Sequence, residues 1–445
     1  MKHSPKTSRE AAVFILSDII ENGAYANIVL RKTLSQTSLL PQDRAFVTEL
    51  VNETLRNLLF IDNVLNHFSK VPVLKMKPFI RNLLRVSVCQ LRNMDKIPES
   101  AAVNEAVILA KAAGFAGLSG FVNGVLRAIA RQKLSPALPC PGSPDYLSWR
   151  YSYPSWLADT LVKWLGREEA LVFCQNSHLP PPVTIFANTC IITIDALAKR
   201  LQAEGVKCAP FGNDFLILRY TGDISKLAAF RDGLFFVMDP GAIWAVKALS
   251  PAPGQTILDL CAAPGGKSFA IACYMGNTGH VRAFDIHQHR VNLIQESVKR
   301  LGLFCISPEA KDATVYDPSL NASADMVLLD VPCSGFGTIR KRPEVKYNRQ
   351  ASDIKTLAEK QRQMLSIGAR YVKPGGLLVY STCTISREEN IDNILWFLRH
   401  HPFEMQQFIP PQSANMHFIT ENNCIQILSG PTNDGFFIAA MVKNL

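Results

Sequence analysis

The chain has 445 residues, 48% of them apolar and 19% charged, which is too long for one ordinary domain and too apolar for wholesale disorder. Its net charge of +10 suits a polyanionic partner without identifying one. No apolar run approaches the roughly 18 residues of a membrane span, and the start, Met1 to Arg9, leads into an amphipathic helix instead of a signal h-region, so a cytoplasmic protein with no membrane partner is expected.

Residues 9–133 read as all-helical. Apolar side chains recur every three or four positions, as in Val47, Leu50, Val51, Leu55, Leu58 and Leu59, and again in Ile80, Leu83, Leu84, Val88 and Leu91. Residues 1–135 hold 18 Lys and Arg against 10 Asp and Glu, a net of +8, whereas the remaining 310 hold 29 against 27, a net of +2. Electrostatic docking is therefore expected from a helical domain at 1–135. Four prolines between Pro136 and Pro144 cannot continue a helix and mark a linker. An α+β middle region at 145–238 follows, with a helix over Trp156–Leu165 and short strands over Val183–Ala187, Phe215–Leu218 and Leu234–Val237.

From residue 239 to 445 the rhythm becomes strand, turn, helix, repeated. Strands are expected over Thr256–Leu260, His280–Asp285, Met326–Asp330 and Leu377–Ser381, with helices over Gln288–Leu301 and Ile354–Val372. Such alternation predicts an open parallel sheet with helices on both faces, a Rossmann-like α/β domain. The 11 cysteines include no C-x-x-C pair and no close cluster with histidine, which argues against a disulfide framework or a structural metal and for a reducing compartment.

The most informative segment is Ile257-Leu-Asp-Leu-Cys-Ala-Ala-Pro-Gly-Gly-Lys-Ser268. A small-residue turn after an apolar strand lets a ligand approach the backbone closely. Gly266-Lys267-Ser268 fits the second half of a phosphate loop, but Cys261 stands where the opening glycine belongs. The alternative is a loop for the amino-acid end of S-adenosylmethionine, with Lys267 available to its carboxylate. Asp285, Asp312 and Asp330 fall at successive strand ends. They suit a ribose and an adenine edge better than a triphosphate.

Two cysteines also reach that edge, one in Asp330-Val-Pro-Cys-Ser-Gly335 and one in Ser381-Thr-Cys-Thr384. Carbon 5 of a cytosine accepts a methyl group only after a thiolate has added to carbon 6, which splits one hard step into two easier ones. An acid such as Asp330 can stabilise the adduct near N3, a base must then remove the C5 proton, and the target base must leave its stack.

These motifs, Cys261 to Lys267, Asp330 to Cys333 and Thr382-Cys383, resemble those of the NOL1/NOP2/Sun family of RNA cytosine-C5 methyltransferases. The segments Gly337-Thr-Ile-Arg-Lys-Arg-Pro-Glu344 and Asn433-Asp-Gly-Phe-Phe437 also fit that group, and the helical N-terminal third resembles the antiterminator NusB. The resemblance spans essentially the whole chain. It implies Cys383 as nucleophile, Cys333 as an aid to product release and Asp330 as a further catalytic group. It also implies cofactor contacts from Cys261, Ala262, Ala263, Pro264, Gly265, Gly266, Lys267, Asp285, Asp312 and Asp330. S-adenosylmethionine without a metal, a cytosine of small-subunit (16S) rRNA as target, naked or partly assembled, and a monomer with no DNA partner complete the expectation. DNA cytosine methyltransferases use the Pro-Cys cysteine and typically follow it with Gln; here Ser334 follows and Cys383 is present. The chain departs from the family's usual pattern at Val331 and at Arg342-Pro-Glu344.

Overall fold

The computed structural model describes residues 5–94, 97–132, 139–141, 143–219, 222–410 and 416–445. The chain divides into two units, one of residues 1–178 with 341–349, the other of 179–340 with 350–445.

The first unit is helical. Among the described residues, helices run over Ser8–Asn22, Ala26–Ser35, Pro41–Arg56, Leu58–Phe68, Pro78–Asn93, Glu99–Ala112 and Ser119–Gln132, then Pro144–Tyr151, Ser155–Leu165 and Arg167–His178. Pro78–Asn93 is its axis and is buried almost all round: Leu83, Leu84, Val86 and Val88 join the core, and so do Asn82, Arg85 and Gln90. Burying a guanidinium requires a partner. Asp62 supplies it, with Arg85 Nε and Nη2 donating to its two oxygens at 2.7 and 2.6 Å.

Residues 341–349 complete this unit. Glu344 accepts from the Ala26 amide at 3.1 Å, and the Tyr347 hydroxyl donates to Leu55 O at 2.8 Å. Lys346, 1% exposed, donates from Nζ to Arg56 O at 3.0 Å and Tyr151 O at 2.9 Å, and lies 4.9 Å from the Tyr153 ring centroid. The expected domain boundaries therefore do not coincide with the units. The helices of 144–178 belong with the N-terminal bundle, and the Pro136–Pro144 linker lies partly outside the described residues.

The second unit holds two sheets. A four-stranded antiparallel sheet has the order β2-β3-β1-β4, formed by β1 Val183–Ala187, β2 Lys207–Phe211, β3 Phe215–Arg219 and β4 Phe235–Val237. It is the strand half of the expected α+β region. Phe186 stacks on Phe236 at 5.1 Å, and Phe236 meets Phe269 edge-on at 5.5 Å, which packs this sheet onto the larger one.

The larger sheet comprises β5 Thr256–Asp259, β6 His280–Asp285, β7 Ile306–Ala310, β8 Ala324–Asp330, β9 Val372–Thr382, β10 Phe403–Met405, β11 Phe418–Glu421, β12 Cys424–Ile427 and β13 Phe436–Lys443. Its order is β11-β12-β13-β9-β8-β5-β6-β7, with β10 on β13. β7, β6, β5, β8 and β9 run parallel, whereas β13 is antiparallel to β9, and β10, β11 and β12 continue antiparallel. The sheet is thus mixed, not wholly parallel as expected, because hairpin connections after residue 403 add strands to its far edge. Leu258, Val327, Leu328, Leu329, Leu378 and Val379 are fully buried, as central strands covered on both faces must be. One face carries helices Ile243–Leu249, Gly266–Tyr274 and Gln288–Leu301, the other Ala351–Tyr371 and Ile391–His400. No helix among the described residues is long and apolar enough to cross a membrane.

Burial pushes the Lys346 pKa down to about 7. A neutral amine has two N–H donors, which match its two carbonyl partners. The unfolded chain holds this proton up to about pH 10.4, so stability should rise with pH between about 7 and 10.4. Lys346→Met abolishes that contribution. Melting temperatures from pH 7 to 9.5 should show wild type gaining on the variant as pH rises; a constant difference contradicts the buried titration.

Candidate active site

β5 lies between β6 and β8, so the chain order reverses beside it, and this is where an open α/β sheet offers a crevice beyond its strand ends. The turn after β5 is tied down at its start: Leu260 N donates to Leu328 O at 3.0 Å and Ala262 N to Phe284 O at 2.7 Å. Ala263 and Pro264, joined by a cis peptide, lead to Gly265, whose φ is +109°. A Cβ at Gly265 would lie 2.3 Å from the Phe269 ring, so both the backbone and the packing demand glycine. Gly266 then begins the helix Gly266–Tyr274.

The charges around this turn are sorted by their partners. Ser268 Oγ donates to Asp259 Oδ2 at 2.6 Å, while Asp259 Oδ1 is buried with no hydrogen-bond partner among the described residues. Burial pushes the Asp259 pKa up to about 7. Burial also pushes the Cys261 thiol well above its ordinary range, reinforced by Asp259, Asp330 and Asp285, which suits an inert packing residue. Lys267 Nζ donates to Asp330 Oδ2 at 2.6 Å and lies 5.1 Å from the Phe436 ring centroid. Burial opposes the Lys267 charge, but Asp330 outweighs it and holds the ammonium above its ordinary pKa. The lysine expected to meet a ligand carboxylate is therefore ion-paired within the protein.

Asp285 closes β6, where it accepts from His287 N at 2.9 Å. Asp312, two residues past β7, accepts from the Thr314 amide at 2.8 Å and hydroxyl at 2.7 Å. Burial works against its ionisation, but those bonds outweigh it and its pKa falls below the usual carboxylate range. Asp330 closes β8, with Oδ1 accepting from Ser381 Oγ at 2.8 Å.

The two cysteines meet. Asp330 lies opposite Ser381 in the parallel pairing of β8 and β9, and just beyond these ends Cys333 Sγ and Cys383 Sγ are 3.3 Å apart. The neighbouring thiol, burial, and the charges of Glu389 and Asp330 raise the Cys333 pKa well above its ordinary value. Cys383 instead lies in the field of the Lys267 ammonium. Of the expected residues, Cys383, Cys333, Asp330 and Lys267 converge; Asp285 and Asp312 stand further along the same sheet edge. Among the described residues no cluster of His, Cys, Asp or Glu is placed to hold a metal ion.

Residues 246–442 match the family model described as 16S rRNA methyltransferase RsmB/F, and residues 6–131 match that of the NusB family. A Bacillus subtilis (strain 168) protein named "Probable ribosomal RNA small subunit methyltransferase B" is 38% identical over 98% of this chain and 99% of its own length. The chain belongs to the RsmB/F family of 16S rRNA methyltransferases. Ribosomal RNA small subunit methyltransferase B of Shewanella oneidensis (strain MR-1) is 31% identical, over 98% of this chain and 99% of its own. Among solved structures, that of PH0851 matches with a TM-score of 0.82 and 26% identity over 99% of both chains. A methyltransferase homologue from Pyrococcus horikoshii matches with a TM-score of 0.59 and 29% identity, over 68% of this chain and all of that one.

In this RsmB/F chain several site residues escape a reading of the sequence. Glu389, fully buried, accepts from Ser334 N at 2.9 Å, Ser334 Oγ at 2.5 Å and Gln361 Nε2 at 2.9 Å. It sits in Arg387-Glu-Glu-Asn390, which looks like a solvated charged turn. Arg340, in the family-like segment after Gly337, is a strut: it donates to Leu179 O at 3.2 Å and to Pro180 O and Gly430 O at 2.7 Å. Gly337 itself donates to Cys383 O at 3.0 Å and accepts from Gly435 N at 2.8 Å. A Cβ on Gly337 would lie 2.2 Å from Gly435 O and 2.8 Å from Cys383 O. Both neighbours are backbone, so Gly337→Ala should destabilise by about 1–3 kcal/mol and displace the Cys383 loop. Calorimetry should show a lowered melting temperature; an unchanged one would mean that the loops yield freely.

Proposed function

We propose that the chain transfers a methyl group from S-adenosylmethionine to carbon 5 of a cytosine in small-subunit rRNA, through a covalent bond between Cys383 and carbon 6 of the base. The observation that carries this reading is the meeting of two thiols, 3.3 Å apart, beside the Lys267–Asp330 pair at the end of parallel strands. A thiolate is favoured near an ammonium and disfavoured near carboxylates. The family's Thr-Cys context assigns addition to Cys383, and the raised pKa of the Cys333 thiol, beside Glu389 and Asp330, agrees with its being the weaker nucleophile of the two. Cys333 stays protonated until the adduct has formed, and then assists its breakdown.

The turn after β5 fits the methyl donor. S-adenosylmethionine supplies an electrophilic methyl group. The close backbone around Gly265, the unpartnered buried oxygen of Asp259, and the carboxylate of Asp285 suit a ligand with an ammonium and a ribose. A triphosphate would face Asp259, Asp285, Asp312 and Asp330, with Lys267 already paired. Asp330 is also within reach of a role at the pyrimidine ring, as acceptor or proton donor. The helical unit, whose residues 1–135 carry the net charge of +8, docks the rRNA through phosphate contacts in the cytoplasm.

Two measurements test this. Asp285→Asn keeps an acceptor for His287 N while removing the charge, and Asp285→Ala removes both. Each should weaken S-adenosylmethionine binding, the second by about 1–3 kcal/mol. Isothermal titration decides, and unchanged dissociation constants would sink the assignment. For the cysteines, Cys383→Ala should abolish transfer and give no covalent RNA complex, whereas Cys333→Ala should methylate once and remain attached. A denaturing gel with labelled RNA separates these outcomes, and the reverse pattern makes Cys333 the nucleophile.

A further inference from the structure

The loops that carry the two cysteines are joined by a buried polar chain. Ser334 Oγ and Thr384 Oγ1, each one residue past a cysteine, are 2.7 Å apart. Ser334 Oγ also donates to Glu389 Oε1 at 2.5 Å, and Ser334 N to Glu389 Oε2 at 2.9 Å. An ionised carboxylate only accepts, and a hydroxyl has one proton, so Thr384 must donate to Ser334 and Ser334 to Glu389. Gln361 braces the same loop, its Nε2 donating to Pro332 O at 3.0 Å and to Glu389 Oε2 at 2.9 Å. Asn393 fixes Gln361 from behind through Oε1 at 2.9 Å, and the Tyr380 hydroxyl donates to Glu389 O at 2.6 Å. Ser334, Thr384, Gln361, Glu389 and Asn393 are all 1% exposed or less.

A carboxylate held without water is costly, and satisfying it with three donors makes its position strongly specified. Helix Ala351–Tyr371 and the segment before Ile391–His400 thereby grip the residues that follow both cysteines. We propose that Glu389 is a positioning residue for the chemistry of the paired thiols, setting the distance between Cys333 and Cys383 through Ser334 and Thr384. The proposal rests on the roles given to the two cysteines above, but the distance itself can be read without them.

Diamide takes two electrons and two protons from a pair of neighbouring thiols and leaves a disulfide, and peptide mass spectrometry can time the Cys333–Cys383 bond specifically. Because small misplacements of reacting groups cost large rate factors, Glu389→Ala should slow this bond about tenfold or more, and Ser334→Ala about threefold or more. Glu389→Gln should recover most of the loss. Its amide oxygen can accept from Ser334 N and Gln361, while its NH2 donates to Ser334 Oγ and reverses the hydroxyl chain towards Thr384. Rates are taken per folded molecule, so a merely destabilised variant loses amplitude and not rate. Should Glu389→Ala fail to fold, Ser334→Ala, which removes one hydroxyl, carries the test. With labelled rRNA the same variants should turn over more slowly while binding S-adenosylmethionine as tightly as wild type. Unchanged disulfide rates in the folded variants overturn the proposal. Slowed disulfide formation, with no adduct accumulating in Cys333→Ala, overturns instead the roles assigned to the cysteines and leaves the positioning role standing.

Discussion

The parallel register of β8 on β9, with Asp330 opposite Ser381, governs the geometry of the whole sheet edge. Two neighbouring parallel strands end at the same height and point their following residues the same way. Cys333 and Cys383 follow those ends by three and two residues, and their sulfurs arrive 3.3 Å apart. A one-residue slip would turn every side chain of one strand to the opposite face and separate them. Burial on both faces prevents that slip, since Val327, Leu328 and Leu329 would all exchange faces in a core packed on either side.

Onto this frame the protein places charges that a stable core would avoid. Asp259 and Glu389 are buried, and Lys267 and Asp330 form a pair whose side chains are 11% and 28% exposed. Buried ion pairs contribute little net stability, because desolvation cancels most of the attraction. What they do provide is a field with a direction. Lys267 interacts with Cys383, while the neighbouring thiol, burial, Glu389 and Asp330 raise the Cys333 pKa, so two identical side chains stand in different surroundings. Position in the sheet brings the thiols together, and the carboxylates and ammonium around them make them unequal.

Much of this was legible in the sequence where one physical pattern acted alone. His280–Asp285 and Gln288–Leu301 have the expected bounds because a single apolar run or a single helical period spans each. The turn around Gly265 announced itself because only small residues fit it. β7, Ile306–Ala310, was legible only through Asp312, which marks a strand end: its own residues lie at the sheet's edge, hold a proline and show no alternation, so they set no bounds. β13 is so thoroughly buried that it lacks a period of two, and its antiparallel pairing depends on hairpins that no local signal specifies. Glu389 was hidden for another reason. Its neighbours in sequence are charged, and only the tertiary fold brings Ser334 and Gln361 to it from 55 and 28 residues away.

Lys346 shows the same limit at the scale of whole units. A lysine among Arg342, Glu344 and Arg349 reads as part of a solvated basic loop, yet it is 1% exposed and donates to two carbonyls of the helical unit. The chain leaves the sheet-containing unit at Arg340, which three carbonyls of that unit hold, and re-enters it at Gln350. The nine residues between are part of the helical unit's interior, with Glu344 and Tyr347 satisfying its backbone. A cut near residue 135 or 178 therefore cannot release two finished domains. A cut near 178 would strip Lys346 and Tyr347 of their carbonyl partners, and one near 135 would remove Arg56 O and Leu55 O while leaving Tyr151 O and Ser152 O. The sequence order of the two units conceals a physical dependence: the helical unit needs a piece of the catalytic sequence to complete its core.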